Sequence, residues 1–162
     1  MTRRQLRAWI RLRAVLELLP DALDGQLRRD SGITEFEYLV LAMLSEAPGG
    51  ALRMSELARQ AIATPPRLSH VVSRLERRGL VERVPSTERS RATDARLTGD
   101  GWEQLRSAAP GHVAAVRQHV VDPLSDEQVD QLAAIAGALL GRLDPDGAMA
   151  GTYTRYDDPA SS

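Results

Sequence analysis

The sequence predicts a mainly α-helical fold with one small β-hairpin. Over most of the 162 residues, apolar side chains recur three and four positions apart, which is the spacing of one face of a helix. Residues 80–97 instead have an extended pattern that is interrupted by a polar break. Serine and threonine residues that can cap helices precede several helical stretches, so the elements can be placed one by one.

Two short helices joined by a tight turn are predicted within residues 52–98. The first is expected to begin with Ser55 as its N-cap and to end near Ile62. Thr64 then caps the second helix, and Pro65 takes its first position, where the missing N–H removes no helical hydrogen bond. This arrangement is typical of a helix-turn-helix, whose second helix enters the major groove of DNA.

The second helix has one apolar face and one polar face. Its buried stripe is predicted at four apolar positions, namely Leu68, Val71, Val72 and Leu75. The outer face has six polar positions, namely Arg67, Ser69, His70, Ser73, Arg74 and Arg77. Gly79 is expected to end the helix as a C-cap. The polar face is therefore predicted to be free to meet a partner.

A β-hairpin is predicted directly after this helix. Its extended segments are residues 80–84 and 91–97, and its polar, arginine-bearing tip is residues 85–90. Residues 51–54 can form a third short strand that pairs with the hairpin. The hairpin would be the wing of a winged helix-turn-helix, which makes the core domain three helices and a small sheet.

Positive charge is concentrated in this central stretch. Residues 53–96 contain ten arginines and five acidic residues, a local charge of +5, although the whole chain has a net charge of −1. Residues 98–162 contain four arginines and ten acidic residues, a local charge of −6. All 21 basic residues are arginine, whose guanidinium binds phosphates and guanine edges in a bidentate manner. This charge distribution predicts that the central stretch meets nucleic acid phosphates.

A long amphipathic helix is predicted before the central stretch, over residues 4–30. Its apolar positions are Leu6, Trp9, Ile10, Leu12, Val15, Leu16, Leu19, Leu23 and Leu27. Pro20 is expected to kink this helix or to divide it in two. So many large apolar side chains exceed what a small winged domain needs, so part of this surface is predicted to pack against another chain.

The other helices are predicted from their capping residues. Thr34 and Glu37 form a capping box at the start of one helix, and a second box begins at Ser125. Thr98 caps the helix that follows the hairpin, and residues 110–111 mark a kink or a boundary within it.

Four regions follow from these elements. Residues 1–33 are an N-terminal dimerisation helix region, and residues 34–98 are the winged helix-turn-helix. Residues 99–144 are the C-terminal dimerisation helices. Residues 145–162 are expected to be a disordered tail, because they are mainly glycine, aspartate, proline, serine and alanine.

Composition and motifs argue against several other classes of protein. No run is long and apolar enough to span a bilayer and no export signal is visible, so a cytoplasmic protein without membrane contact is expected. Cysteine is absent, which excludes disulfides and thiolate metal sites. His112 and His119 are seven residues apart, which is not the four-residue spacing that chelates one ion, so neither a metal nor another cofactor is predicted. No nucleophile elbow, phosphate loop or spaced carboxylate pair is present, so an enzyme is not expected.

Across residues 5–143 the chain resembles the MarR-type winged helix-turn-helix regulators. The segments that carry the likeness are 53–58 (RMSELA), 75–83 (LERRGLVER), 91–93 (RAT), Leu97-Thr98 with Gly101, and 109–112 (APGH). The resemblance implies a bacterial homodimer that binds a pseudo-palindromic operator in double-stranded DNA. It further implies a repressor that is released by a small aromatic or phenolic effector.

The chain departs from the family pattern in two places, the wing tip, where only Arg91 matches, and the second helix. The family commonly has Asp-Arg-Arg at the wing tip, where this chain has Arg89-Ser90-Arg91. His70 stands where an arginine or a similar donor is common in the second helix, so the preferred bases cannot be carried over.

Eleven residues are predicted to contact DNA: Ser55, Thr64, Pro66, Arg67, Ser69, His70, Ser73, Arg74, Arg89, Ser90 and Arg91. Those of the second helix would meet base edges or phosphates, and the alternative is a solvated polar face. Arginines at the wing tip would reach the minor groove or its phosphates, and the alternative is a plain charged hairpin tip. Ser55 and Thr64 are helix caps first and phosphate contacts second.

An effector pocket between the dimerisation helices and the winged helix-turn-helix is a further hypothesis. Its candidate residues are Trp9, Tyr38, His112 and Trp102, and the alternative is that they are ordinary core or interface residues. The sequence thus predicts a dimeric, sequence-specific DNA-binding transcriptional regulator that acts as a repressor. The alternative function is a winged-helix protein-interaction module without DNA binding.

Overall fold

The computed structural model describes residues 1–86 and 92–154. The helices are α1 (Arg3–Ser31), α2 (Glu35–Glu46), α3 (Met54–Gln60), α4 (Pro65–Arg77), α5 (Gly99–Val116), α6 (Asp126–Leu143) and α7 (Ala150–Tyr153). The strands are β1 (Ala51–Arg53), β2 (Val81–Pro85) and β3 (Thr93–Leu97). A 3-10 turn (Pro48–Gly50) precedes β1, and a π-helical segment (Arg117–Val121) follows α5. The predicted fold, mainly helical with a small hairpin wing, is confirmed.

Helix α2 and helix α6 begin at the predicted capping boxes. The backbone N–H of Thr34 donates to Oε2 of Glu37 over 2.8 Å, and the N–H of Glu37 donates back to the Thr34 hydroxyl over 3.1 Å. Ser125 has the same reciprocal pair of bonds at the start of α6. Thr98 accepts from the N–H of Gly101 over 3.0 Å, which confirms it as the cap of α5. Each bond satisfies a backbone donor that the first turn of a helix leaves unpaired.

The three strands form one antiparallel sheet in the order β1-β3-β2. Ala51 pairs with Arg96 at one edge of β3, and Val81 pairs with Leu97 at the other. Helices α2 to α5 and this sheet share one core, to which the end of α1 adds Leu27. The strand predicted at 51–54 and its pairing with the wing are confirmed.

Helix α4 buries the predicted stripe. Leu68, Val71, Val72 and Leu75 are all buried in the core, and the other side of the helix faces outward. Full burial of such a side chain stabilises the fold by about 1.5–3 kcal/mol. Packing of this stripe therefore fixes which residues α4 presents at the surface.

The predicted cap of α3 is wrong. The helix begins at Met54 with Arg53 as its N-cap, and Ser55 lies within the first turn. Arg53 is the last residue of β1 and pairs with Asp94 of β3, so the chain passes from the strand into the helix without a capping residue between them. Strand pairing therefore decides where α3 starts.

Two prolines lie inside continuous helices. Pro20 does not divide α1, and Pro110 does not form a boundary in α5. A proline removes one backbone hydrogen bond and costs about 3 kcal/mol in a helix interior. Beyond Pro20, Leu23 and Leu27 of α1 are buried, and this packing keeps the chain helical.

The chain after α6 differs from the expected disordered tail as far as residue 154. Asp144 accepts hydrogen bonds from the N–H groups of Ala148 (2.7 Å) and Met149 (2.9 Å) and from the hydroxyl of Tyr153 (3.1 Å). These bonds close a turn that leads into α7. The rest of the tail lies outside the described residues.

Helices α1 and α6 expose apolar side chains on a large scale. In the N-terminal half of α1 the exposed residues include Leu6, Trp9, Ile10, Leu12, Val15, Leu16 and Leu18. In α6 they are Leu132, Ile135, Leu139 and Leu143, and none of the residues of α6 is buried. Among the described residues, no helix is long and apolar enough to cross a membrane.

Candidate nucleic-acid interface

The turn between α3 and α4 sets the direction of α4, the second helix of the predicted helix-turn-helix and hence the predicted recognition helix. The N–H of Ala63 donates to the carbonyl of Ala58 over 2.9 Å, which closes the end of α3, and Ile62 has a left-handed φ of 45°. Thr64 then accepts from the N–H of Arg67 over 3.4 Å, and Pro65 occupies the first helical position. The predicted Thr64 cap and the predicted place of Pro65 are confirmed.

The outermost ridge of α4 follows from its buried stripe. With about 3.6 residues per turn, the positions opposite the buried stripe are 66, 70, 73 and 77. Pro66, His70 and Arg77 are exposed and Ser73 is half-buried. Among the described residues, no protein acceptor binds the guanidinium of Arg77. We call Pro66, His70, Ser73 and Arg77 the crest of α4.

Two arginines of α4 that lie beside the crest contact residues at the start of α2. The guanidinium carbon of Arg67 lies 4.4 Å from the centre of the Phe36 ring, a cation–π contact. Nε of Arg74 donates to Oε1 of Glu37 over 2.7 Å, and its Nη2 lies 3.4 Å from the Thr34 hydroxyl. Arg74 thus joins α4 to the start of α2, and contact of these arginines with DNA stays a prediction.

Glu37 is the buried acceptor at this junction, since only 3% of its side chain is exposed. Burial raises the pKa of its carboxyl, but hydrogen bonds from the Thr34 N–H and from Arg74, with the charge of Arg74, lower it below its usual range. Arg78 adds a second cation, 4.0 Å from Oε1 of Glu37, and also donates to the carbonyl of Gly32 over 3.1 Å. Glu37 is therefore ionised at neutral pH and anchors α4 through charge.

The other flank of α4 is tied to the wing by Arg83 of β2. Its guanidinium donates to Oε2 of Glu76 over 2.6 Å, to the Ser69 carbonyl over 3.0 Å and to the Ser73 hydroxyl over 3.1 Å. It also reaches the Ser69 hydroxyl over 3.2 Å. The wing and the recognition helix are thus one unit, braced by charge-assisted bonds.

The remaining predicted DNA contacts fall in two places. Ser55 is exposed in the first turn of α3, where unpaired N–H groups and the helix dipole favour an anion. Arg89, Ser90 and Arg91 lie outside the described residues. Their predicted roles at the wing tip stay predictions.

The structure brings together two of the four effector-pocket candidates. The rings of Tyr38 and His112 are 4.4 Å apart between centres, at the contact of α2 with α5. Trp102 lies ten residues before His112, about 15 Å along α5, and packs beside Gly50. Trp9 lies on the exposed half of α1.

The Tyr38–His112 pair is partly buried and poor in polar partners. Burial lowers the pKa of His112, and burial together with the charge of Glu46 raises the pKa of Tyr38. Nδ1 of His112 and Oε1 of Gln26 are buried without a hydrogen-bond partner among the described residues. Both rings are therefore neutral at about pH 7, as suits contact with an aromatic molecule.

Glu37 and Arg83 are the residues that sequence reasoning missed. Glu37 was predicted only as part of a capping box, and Arg83 only as part of a strand. Their partners lie 37 and 7 to 14 positions away in the chain. The one sequence signal was an unusual number of arginines, which does not say which of them bind protein acceptors. In the described residues, no group of three or more histidine or acidic side chains could hold a metal ion.

Comparison with known proteins identifies the family. A family model described as MarR family matches residues 31–92. The HTH-type transcriptional repressor YetL of Bacillus subtilis is 30% identical over 112 residues, which are 69% of this chain and 66% of YetL. The HTH-type transcriptional repressor Mb2911 of Mycobacterium bovis is 37% identical over 97 residues, which are 60% of this chain and 68% of Mb2911.

A solved structure extends the likeness to nearly the whole chain. The crystal structure of Sco3205, a MarR family transcriptional regulator from Streptomyces coelicolor in complex with DNA, matches with a TM-score of 0.85 and 43% identity. The match covers 90% of this chain and 91% of Sco3205. This chain therefore belongs to the MarR family of winged helix-turn-helix transcriptional regulators.

Proposed function

We propose that this chain is a repressor that binds a pseudo-palindromic operator as a homodimer in the cytoplasm. The observation that carries the proposal is the crest of α4, a polar ridge on a helix whose opposite face is fixed in the core. A ridge of this size fits the major groove of DNA. The related Sco3205 was crystallised in complex with DNA, and the relatives YetL and Mb2911 are named as repressors.

The exposed apolar faces of α1 and α6 support the dimer. Side chains such as Ile10 and Ile135, 57% and 60% exposed in one chain, would be covered by the same helices of a second copy. Two recognition helices related by this axis would enter successive major grooves about 34 Å apart. The crest residues would then read bases in each half-site.

An effector is proposed to act at the Tyr38–His112 pair. Tyr38 follows Glu37 in α2, and Glu37 holds Arg74 of the recognition helix. A small aromatic or phenolic molecule that displaces the Tyr38 ring would move α2 and so shift α4 through this ion pair. Gln26 is the residue of α1 that lies beside Gly111, which precedes His112 in the chain. Trp9 lies about 25 Å along α1 from Gln26, so it could join the site only from another chain.

Selection of bound sequences from a random DNA pool tests DNA recognition. We expect a two-fold symmetric consensus, and His70→Ala should change the preferred bases at one position of each half-site. His119→Ala is the matched control, since His119 is exposed but lies outside the winged helix-turn-helix. A consensus that is unchanged in the His70 variant would contradict the role of the crest.

The wing is tested by salt dependence. Arg91→Ala should weaken binding to all sequences and make the plot of log affinity against log salt less steep. Arg106→Ala, which removes an exposed arginine from α5, should change neither. If the protein enriches no sequence from the pool and fails to bind the DNA upstream of its own gene, the alternative of a protein-interaction module would replace the proposal.

A further inference from the structure

We propose that Arg83 makes the hydroxyls of Ser69 and Ser73 hydrogen-bond donors toward DNA, so that they read acceptor atoms on bases. Arg83 would thus determine specificity without touching a base. This inference rests on the proposed binding of DNA by α4. Neither the sequence nor the family resemblance defines whether these two serines donate or accept hydrogen bonds at the DNA.

The contacts place one cation against both serines. Nη1 and Nη2 of Arg83 each lie 3.1 Å from Oγ of Ser73, and Nη2 lies 3.2 Å from Oγ of Ser69. Nη1 also donates to Glu76 over 2.6 Å, and the Arg83 backbone N–H donates to the same carboxylate over 3.2 Å. Both ends of Arg83 are thereby fixed. The arginine is held over the two serines by the same carboxylate that neutralises it.

The chemistry of these groups decides the direction of each bond. A guanidinium has only donors, whereas a serine hydroxyl has one donor and two acceptor lone pairs. Where Arg83 donates to Oγ, the hydroxyl hydrogen must point away from the guanidinium. Among the described residues, neither hydroxyl donates to another protein group. The hydrogens of Ser69 and Ser73 are therefore not engaged by any described protein acceptor and can be donated to a ligand.

A donor in the major groove distinguishes base edges. Purine N7, guanine O6 and thymine O4 are acceptors, whereas the amino groups of cytosine and adenine are donors. A free serine hydroxyl contacts either kind, because it rotates to suit. Oγ of Ser73 faces both Nη1 and Nη2 of Arg83, so both of its lone pairs are occupied and its hydroxyl favours the acceptors and disfavours the cytosine amino group. Oγ of Ser69 faces Nη2 alone, so the same preference is weaker there. The brace thus converts a permissive side chain into a selective one.

The test uses a duplex selected by the wild-type protein from a random pool. Each acceptor is then weakened in turn, with 7-deazapurines for N7, 6-thioguanine for O6 and 4-thiothymine for O4. At one or two positions we expect the wild-type affinity to fall by about three- to tenfold, the range of a single hydrogen bond. Ser73→Ala or Ser69→Ala should lose less than about twofold at the same position, because the bond is already missing.

A second pair of variants tests Arg83 itself. Arg83→Gln should still bind the selected duplex, but it should accept a cytosine at the serine-dependent position that the wild-type protein rejects. Arg96→Gln is the matched control, because Arg96 lies on the neighbouring strand and pairs with Glu82 rather than with α4. Thermal unfolding of each variant establishes that it is folded, and the serine variants test the polarity even if Arg83→Gln is unstable.

Three results would overturn the inference. One is that no weakened acceptor lowers the affinity of the wild-type protein more than it lowers the affinity of the serine variants. Contact with phosphates alone would give this result. Another is that removal of the amino group from a cytosine lowers the affinity of the wild-type protein but not that of a serine variant. The serine would then accept a hydrogen bond from cytosine instead of donating one. The third is a folded Arg83→Gln protein with unchanged base preference. Failure to bind any selected DNA would refute the proposed function instead, so the two failures are distinguishable.

Discussion

Replacing Glu37 by glutamine removes one negative charge from the junction of α2 and α4 with little change in volume. In the wild-type protein, Oε1 accepts from Arg74 over 2.7 Å and Oε2 accepts from the Thr34 N–H over 2.8 Å. The amide oxygen of glutamine can keep one of these bonds. The amide nitrogen would then face a donor, because both partners of Glu37 donate.

The magnitude follows from the bonds that are lost. A hydrogen bond to a charged group contributes about 1.5–3 kcal/mol, and Glu37→Gln loses one such bond and weakens another. We therefore expect the free energy of unfolding to fall by about 2 kcal/mol. Arg74 has 38% of its side chain exposed and would regain hydration when unpaired, which keeps the loss below the cost of a fully buried pair.

The pH dependence gives a sharper test of the same contact. The pKa of Glu37 is lowered in the folded protein, so its contribution is complete above the unfolded value and is lost as pH falls through the folded value. The stability gap between wild type and Glu37→Gln should be constant from about pH 7 to pH 5.5 and should narrow below about pH 4.5. Glutamine does not titrate, so the narrowing comes from the wild-type protein.

Urea unfolding measures the gap, at a fixed protein concentration because the stability of the proposed homodimer would depend on concentration. Glu35→Gln is the control on the same turn of α2, because burial and the charge of Asp24 raise the pKa of Glu35. Removal of that charge should be neutral or slightly stabilising. A gap below about 0.5 kcal/mol for Glu37→Gln, or a gap that widens in acid, would refute the reasoning.

Three further substitutions test local features of the fold. Ile62→Gly should stabilise the protein by about 0.5–1 kcal/mol, because a left-handed φ is costly for a β-branched residue, and unchanged urea unfolding would contradict this. Gly101→Ala should destabilise by at least about 2 kcal/mol, since its Cβ would lie 2.1 Å from the Leu80 carbonyl oxygen, whereas Gly99→Ala meets no atom within 4 Å and should have little effect. Burial lowers the pKa of His112, so the neutral ring is favoured in the fold and wild-type stability should fall between about pH 7 and pH 5.5. His112→Phe should remove that part of the pH dependence, and an equal slope in both proteins would count against it.

The features that sequence analysis predicted are local in the chain. The stripe of α4 depends on side chains three and four positions apart, and the boxes at Thr34 and Ser125 depend on residues three positions apart. Such patterns follow from helix geometry and can be recognised without knowledge of distant parts of the chain. The α4 stripe and its cap could therefore be placed before the structure was known.

The features that were not predicted depend on tertiary contacts. Ser55 fails as a cap because β1 pairs with β3 and leads directly into α3. The pairing of Glu37 with Arg74 joins residues that are 37 positions apart. Trp102 and His112 share a helix but lie too far apart along it to line one small pocket. No periodicity in the sequence contains this information.

The arginines illustrate why local charge predicts a DNA-binding region better than it predicts DNA contacts. Between residues 53 and 96, the partners of Arg59, Arg74, Arg83 and Arg96 are Glu56, Glu37, Glu76 and Glu82. An arginine that binds a protein carboxylate keeps its place but contributes little net field. Arg74 and Arg83 position α4 against α2 and the wing, whereas Arg77 on the crest has no protein acceptor among the described residues. The excess of +5 therefore identifies the surface, and the hydrogen bonds within the protein decide which of its arginines are left for phosphates or bases.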